Sequence, residues 1–438
     1  MAGGEDPMPS STTAQRICVI GAGAAGLEAV RVLRDAGHDV VAHDRSDRAG
    51  GHWHTDYEAL HLITPRDVSC FDGVPMPAHY PLFPSREQVI DYLDAFAAEH
   101  DLLAHVRFGT EVTAVTSPDD GVSGWDVTTG SGTEHFDAVV VANGHHWDAR
   151  LPAMAADFTG RSLHSSQYRS VADVEGTRVL VVGAGNSGCD LAVDAANARL
   201  DVSIAMRHGQ VFQPKTFFGR GRNQLPFLAK LPGWAAERVQ RALVRISVGS
   251  PSDYPGLQEP VTRNLNQQLP VVNDLLLYWL QHGRITARPG VVDVSGREVF
   301  FADDTSAEFD TVLWATGFRV SLPFLAPEQL TWSGGVPLRV GGMVVPVGTS
   351  RLYTVGLASP RGAQFPVFSA QAALVARLLG LEGRTARPLH TELLAAGAPD
   401  DRVDVLRPLW TAATARAHRV LDALPTTDRT APLQEALR

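Results

Sequence analysis

Short apolar runs alternate with longer stretches of helical spacing over most of this chain. Residues 17–20 are apolar, and from Gly26 onward Leu27, Val30, Leu33 and Gly37 mark a helix with apolar positions three and four apart and a glycine stop. Residues 39–44 predict a second strand. The succession then repeats: an apolar run at 179–182, an Ala- and Leu-rich helix through 189–196, and a strand from 201. Two further apolar strands, 136–142 and 311–315, end in small residues. Strands interleaved with helices in this way predict parallel sheets. Between the repeats, Ser85 is a plausible N-cap for a helix through Tyr92, Leu93 and Phe96. Residues 106–115 and 124–127 predict a small antiparallel excursion, 234–248 an amphipathic helix, and 400–423 a last helix.

Each repeat carries a glycine-rich turn between its strand and its helix. The first is Gly21-Ala22-Gly23-Ala24-Ala25-Gly26 and the second Gly183-Ala184-Gly185-Asn186-Ser187-Gly188. In that context G-x-G-x-x-G cradles a dinucleotide diphosphate, because glycine permits the tight turn and the helix N-terminus offers unpaired N–H groups. Asp44, 23 residues after Gly21, matches the acid that binds a ribose. Gly50-Gly51-His52-Trp53 follows, a close-approach loop that suits FAD. At the second turn the matching region holds Arg207 and His208 instead of an acid. A guanidinium suits the 2′-phosphate of NADP, so NADPH is expected there. Two dinucleotides on one polypeptide imply electron transfer from nicotinamide to flavin.

Composition narrows the classes. The 438 residues carry 38 Lys and Arg against 48 Asp and Glu, a formal net charge of −10. That disfavours nucleic acid or an anionic membrane as partner. No apolar run approaches the roughly 20 residues of a membrane span. Residues 1–14 are polar and read as a disordered lead. Cys18, Cys70 and Cys189 form no C-x-x-C pair, which argues against a dithiol reductase and for a reducing, cytoplasmic location. His52 and His54 lack a supporting ligand cluster, so no metal is expected.

The stretch Phe158-Thr159-Gly160-Arg161-Ser162-Leu163-His164-Ser165-Ser166-Gln167-Tyr168-Arg169 fits F-x-G-x-x-x-H-x-x-x-Y-R. It resembles the fingerprint of the flavin-containing monooxygenases and their Baeyer–Villiger relatives. The Gly50–Trp53 loop, Gly144-His145-His146, the second glycine turn, Trp314-Ala315-Thr316-Gly317-Phe318 and Leu352-Tyr353-Thr354-Val355-Gly356-Leu357 agree with that family in order, over roughly residues 15–385. Arg169, where the Baeyer–Villiger fingerprint has Pro or Asp, favours the heteroatom-oxygenating branch.

The resemblance implies an α/β fold with two Rossmann-like, three-layer dinucleotide-binding domains. The FAD domain would be discontinuous (15–170 and 318–438), with the NADPH domain (171–317) inserted and itself interrupted at 209–275. FAD contacts are expected from Gly21, Gly23, Ala24, Ala25, Gly26, Asp44, Arg45, Gly51, His52, Trp53, Val112, Ala142, Asn143, Gly144, Gln364 and Phe365. NADP contacts are expected from Tyr168, Arg169, Gly183, Gly185, Asn186, Ser187, Gly188, Arg207, His208, Ala315, Thr316 and Gly317. The implied reaction inserts one atom of O2 into a small nucleophilic substrate (nitrogen, sulfur or carbonyl carbon) through a C4a-(hydro)peroxyflavin. Ile63 stands where many members place an Asn near the flavin's reactive edge, and Thr64 is the neighbouring hydrogen-bonding candidate. An NADPH oxidase or reductase, and a non-catalytic flavin sensor, stay open as alternatives, as does a homodimer.

Overall fold

The computed structural model describes residues 14–117, 124–222, 224–225, 227, 230–264 and 267–425; the N-terminal lead to residue 13 and the tail from 426 lie outside the described residues. Two five-stranded parallel sheets organise the chain. In the first the order is Leu352–Thr354, Ala138–Val141, Arg16–Ile20, Asp39–His43, Val106–Arg107. In the second it is Ile285–Arg288, Asp201–Ala205, Arg178–Val182, Thr311–Trp314, Arg161–His164. Every residue of Ala138–Val141 and of Thr311–Trp314 is buried, as befits strands covered on both faces. In each sheet the strand bearing the glycine turn is central. Its sequence neighbour lies on one side and the closing strand on the other, so the turn opens at the topological switch point where ligands bind.

Helix α1 (Ala24–Asp35) leaves the first turn and α3 (Asn186–Asn197) the second. Helix α2 (Arg86–Glu99) starts at Ser85 in a capping box: the Ser85 hydroxyl accepts from the Gln88 N–H and the Gln88 side chain from the Ser85 N–H. Its Tyr92 and Phe96 join Ile17, Val19, Leu27, Val30, Leu33 and Phe365 in one core, while Val179, Val181, Leu191, Val202, Ile204 and Leu280 form the other. The insertion contributes a short hairpin (Thr216–Phe217 with Arg220–Gly221) and helix α4 (Gly233–Val248), and helix α5 (Leu275–Gln281) follows it. Helices α6 (Phe365–Leu381), α7 (Leu389–Ala396) and α8 (Arg407–Ala423) complete the chain, with α6 packed on α1.

Four sequence expectations need correction. Val106–Arg107 is the edge strand of the first parallel sheet; the antiparallel excursion comprises Val112–Thr116, Trp125–Thr129 and Gly132–Phe136. The run beginning at 136 is two strands, broken at Asp137, whose carboxylate accepts the Arg16 N–H at 2.7 Å. The last helix starts at Arg407, because Asp404–Val405 first pairs in parallel with Ser359–Pro360. Finally, Arg161–His164 pairs with Thr311–Trp314 in the second sheet, so the chain enters that sheet before residue 170. The two passages between sheets, Asp148–Ala149 and Phe318–Arg319, run side by side as an antiparallel pair.

Candidate functional site

At the first turn, glycine is dictated by backbone contact. Gly21 has φ +103, and a Cβ there would fall 2.6 Å from the Ala142 carbonyl oxygen; a Cβ on Gly26 would fall 1.9 Å from the Gly21 oxygen. Gly23 differs, since its nearest neighbour is the Gly51 Cα, 3.7 Å from where a Cβ would be. The Gly50 N–H donates to Ala22 O (2.9 Å), so the Gly50-Gly51 loop is laid against the glycine turn. Asp44 ends its strand with one carboxylate oxygen on the Ala22 N–H (2.6 Å) and the other on the Ser46 N–H (2.7 Å). Ala24 and Ala25, both buried, open α1.

The second turn reproduces this construction. Gly183 has φ +111 and faces the Ala315 oxygen at 2.3 Å from a built Cβ, and Gly188 faces the Gly183 oxygen at 1.9 Å. Gly185 has nothing within 4 Å and is exposed. Both cradles therefore keep their middle glycine for space outside the protein's own packing, which is what a diphosphate needs. Asn186 turns inward, its Oδ1 accepting the Val272 N–H at 2.8 Å. Arg207 and His208 are exposed just past their strand, with the Arg207 stem packed over Gly290.

The fingerprint turns out to be a clamp across the seam. Tyr168 is fully buried and its hydroxyl donates to Asp194 (2.6 Å), so it is not open to a nucleotide. The Arg169 guanidinium donates to Asp56 O (2.8 Å) and to His54 O, and the Arg169 oxygen accepts the Glu58 N–H (2.8 Å). This arginine thus grips the loop after Gly51 from the segment that follows the edge strand of the second sheet. The His164 Nδ1 accepts the Ser166 N–H (3.2 Å), which leaves the proton on Nε2 to reach Gly317 O at 3.0 Å. Burial holds this imidazole below the ordinary range. Asp190, four residues before Asp194 on α3, accepts from Tyr57 OH (2.8 Å) and Asn273 Nδ2 (2.7 Å), joining the flavin-side loop, the second turn's helix and the insertion.

Other expected residues are placed as follows. Phe365 is buried and stacked on Phe71 (4.8 Å), and Val112 is buried with Val115 and Trp125, so both side chains belong to the core. Arg45 lies over Trp147 (4.6 Å). Asn143 donates to Ser321 O (3.0 Å), Thr316 to Arg150 O, and the Gly144 oxygen accepts from Trp147. Gln364 donates to Pro360 O and Gly362 O, leaving its Oε1 buried with no partner. Thr64 is buried with its hydroxyl on Ser69 (2.7 Å), and Ile63 is half-buried. His52 stacks on Trp53 (5.2 Å) and bonds Asp56 (2.6 Å). His146 lies 5.7 Å from His52, 4.2 Å from His145 and 5.5 Å from Phe318, centroid to centroid, and is exposed. Burial holds the half-buried His145 below the ordinary imidazole range.

A family model described as flavin-binding monooxygenase-like matches residues 14–398. The chain belongs to that family. It is a flavin-dependent monooxygenase. It is 29% identical over 415 residues to mouse flavin-containing monooxygenase 5, covering 87% of this chain and 76% of the relative. It is 31% identical over 403 residues to human flavin-containing monooxygenase 2, covering 83% and 73%. The fold matches a flavin-containing monooxygenase from Stenotrophomonas maltophilia with a TM-score of 0.64 at 24% identity, over 84% of this chain and 98% of that one. It matches cyclohexanone monooxygenase bound to epsilon-caprolactone with a TM-score of 0.70 at 17% identity, over 94% and 100%. In this monooxygenase, Tyr57, Asp56, Asp190 and Asp194 are the residues that sequence reading passed over. Their only trace was the i, i+4 spacing of the two aspartates on the helix that leaves the glycine turn.

Proposed function

We propose that FAD occupies the first glycine turn and NADPH the second, and that the monooxygenase transfers one oxygen atom from O2 to a small, soft nucleophile such as a thioether or amine. The observation that supports this most is the pair of cradles, Gly21–Gly26 and Gly183–Gly188, with Gly185 facing open space and Gly23 meeting only the Gly51 Cα, 3.7 Å from where a Cβ would be. Bound together, the two coenzymes supply hydride transfer and activation of O2. The chain binds and orients them. Asp44 stands at the flavin-side ribose, already aligned by two backbone N–H groups. Arg207 and His208 suit a 2′-phosphate, and Met206, not an acid, follows the strand where Asp44 does in the first site. Arg169 and His164 tie the passages between the two sheets, which would keep bound coenzymes in a fixed relation to each other.

Helices among the described residues are all too short or too polar to cross a membrane. The three cysteines are free thiols, two of them buried, which supports a reducing cytoplasm. The test is a spectrum of the purified protein with FAD, then anaerobic NADPH, then air with and without a thioether. Bleaching by NADPH followed by substrate-dependent sulfoxide supports the reading. Failure to take up FAD, or conversion of all NADPH to hydrogen peroxide with every substrate, rejects it. A second reading, an NADPH oxidase, draws on one observation. The segment expected at the flavin edge offers apolar Ile63, and the Thr64 hydroxyl is engaged by Ser69.

A further inference from the structure

Burial depresses the pKa of three arginines: Arg222, Arg339 and Arg407. Two of them engage carbonyls, although the Arg339 Nη1 is also buried without a partner. Arg339 donates to Pro337 O (3.1 Å) and Arg402 O (2.8 Å), and Arg407 to Arg361 O (3.0 Å). The Arg222 guanidinium has no hydrogen-bond acceptor and no carboxylate among the described residues, and its Nη1 is buried without a partner. The residue as a whole is half-buried, but a guanidinium nitrogen shut off from water with no acceptor is costly, so its place in the molecule is informative.

Arg222 sits at the root of the insertion hairpin. Its backbone N–H donates to Lys215 O (3.2 Å), which brackets the hairpin between two cationic residues. The preceding residue, Gly221, lies directly on Pro65: a Cβ there would fall 2.4 Å from the Pro65 Cγ. Pro65 follows Ile63 and Thr64 in the segment expected at the flavin's reactive edge. Phe217 and Leu225, on and just after the hairpin, are buried, and the Lys215 ammonium stands 5.9 Å from the Phe83 ring centre. The carboxylate that feels Lys215, Asp190, is already bonded to Tyr57 and Asn273. The insertion 209–275 holds eight Lys and Arg against four Asp and Glu in a chain of net charge −10, so the local potential attracts anions.

We propose that Arg222 determines specificity in the oxygenation site and that the natural substrate is an organic acid whose carboxylate pairs with this guanidinium. The inference rests on the oxygenase reading above. For a thioether acid the sulfur gains one atom of O2 as a sulfoxide. The other atom leaves as water, and NADPH with one proton supplies the two electrons and becomes NADP+.

Three probes differing only in charge test it: 3-(methylthio)propanoate, its primary amide, and 3-(methylthio)propylamine. Affinity is read by equilibrium dialysis on the oxidised, FAD-loaded protein, so no turnover is needed. The acid is expected to bind at least about tenfold more tightly than the amide or the amine. Arg222→Gln is expected to abolish that preference and Arg222→Lys to keep part of it. Equal affinities in the unmodified protein overturn the proposal, which guards against a variant that does not fold. So does a preference that survives Arg222→Gln, or an Arg222→Gln that weakens NADPH instead of the acid. Acid-selective binding with only hydrogen peroxide as product would uphold the site and reject the oxygenase reading. Sulfoxidation of all three probes alike would do the reverse.

Discussion

The two cradles make a sharp prediction about which glycines serve the fold and which serve the ligand. Gly185 is the N-cap of α3 with φ −75, a conformation any residue adopts, and a Cβ there meets nothing within 4 Å. Glycine is preferred to alanine at an N-cap by up to about 1 kcal/mol, which in a chain of 438 residues should still leave Gly185→Ala within about 2 °C of the parent melting temperature. Its methyl group, however, stands where the diphosphate approaches the backbone. Loss of one charge-assisted contact is worth about 1.5–3 kcal/mol, which is about 10–100-fold in NADPH affinity. Gly188→Ala is the contrasting variant. Its methyl would lie 1.9 Å from the Gly183 oxygen and 3.1 Å from the Ala315 Cβ, so backbone must move. Such overpacking costs about 1–3 kcal/mol and lowers the melting temperature by several degrees. The assays are thermal melting of each variant and the NADPH dependence of flavin reduction in anaerobic stopped flow. An unchanged NADPH dependence in Gly185→Ala, or equal destabilisation by both substitutions, would refute the assignment.

Three other outcomes follow from the geometry. Arg169→Lys replaces a forked donor by a point charge and should cost about 1–3 kcal/mol; the loosened loop after Gly51 should show as FAD lost on gel filtration. Asp310 accepts the N–H groups of Thr177 (3.1 Å) and Arg178 (3.0 Å) and the guanidinium groups of Arg178 (2.9 Å) and Arg297 (3.2 Å), which hold its carboxyl well below the usual range. Its stabilisation is full above the unfolded carboxyl value and fades as pH falls through the folded one. Asp310→Asn should therefore lower the neutral-pH melting temperature, by roughly 1 kcal/mol of stability, and flatten the acid limb of a melt-versus-pH curve. Burial pushes His145 down to about 4. Below the ordinary imidazole value the unfolded chain binds a proton that the folded one refuses, so stability of the flavin-free protein declines from about pH 6.5 toward 4, by at most about 3 kcal/mol. His145→Gln should make that decline shallower, the rest coming from other histidines held down by burial such as His43 and His164; a curve of the same steepness in the variant would show that His145 does not contribute.

Local chemistry alone fixed a large part of this monooxygenase. The two strand–turn–helix units were legible because G-x-G-x-x-G is a backbone requirement. Gly21 and Gly183 need a positive φ, and Gly26 and Gly188 leave no room for a Cβ, so sequence and structure are tied at each position. The capping box at Ser85 and the insertion helix were legible for the same reason, since both depend on residues a few positions apart. What only the tertiary structure decided involves partners distant along the chain. Arg169 reaches a loop 113 residues away at Asp56, Tyr57 pairs with Asp190 across 133, and Arg161–His164 joins a strand that begins at Thr311. A four-residue strand carries no periodicity that says which sheet will take it, and an arginine's sequence neighbours do not reveal whether its charge meets a phosphate, a carbonyl or nothing. Those outcomes depend on where burial removes water, and that is settled when the two sheets pack.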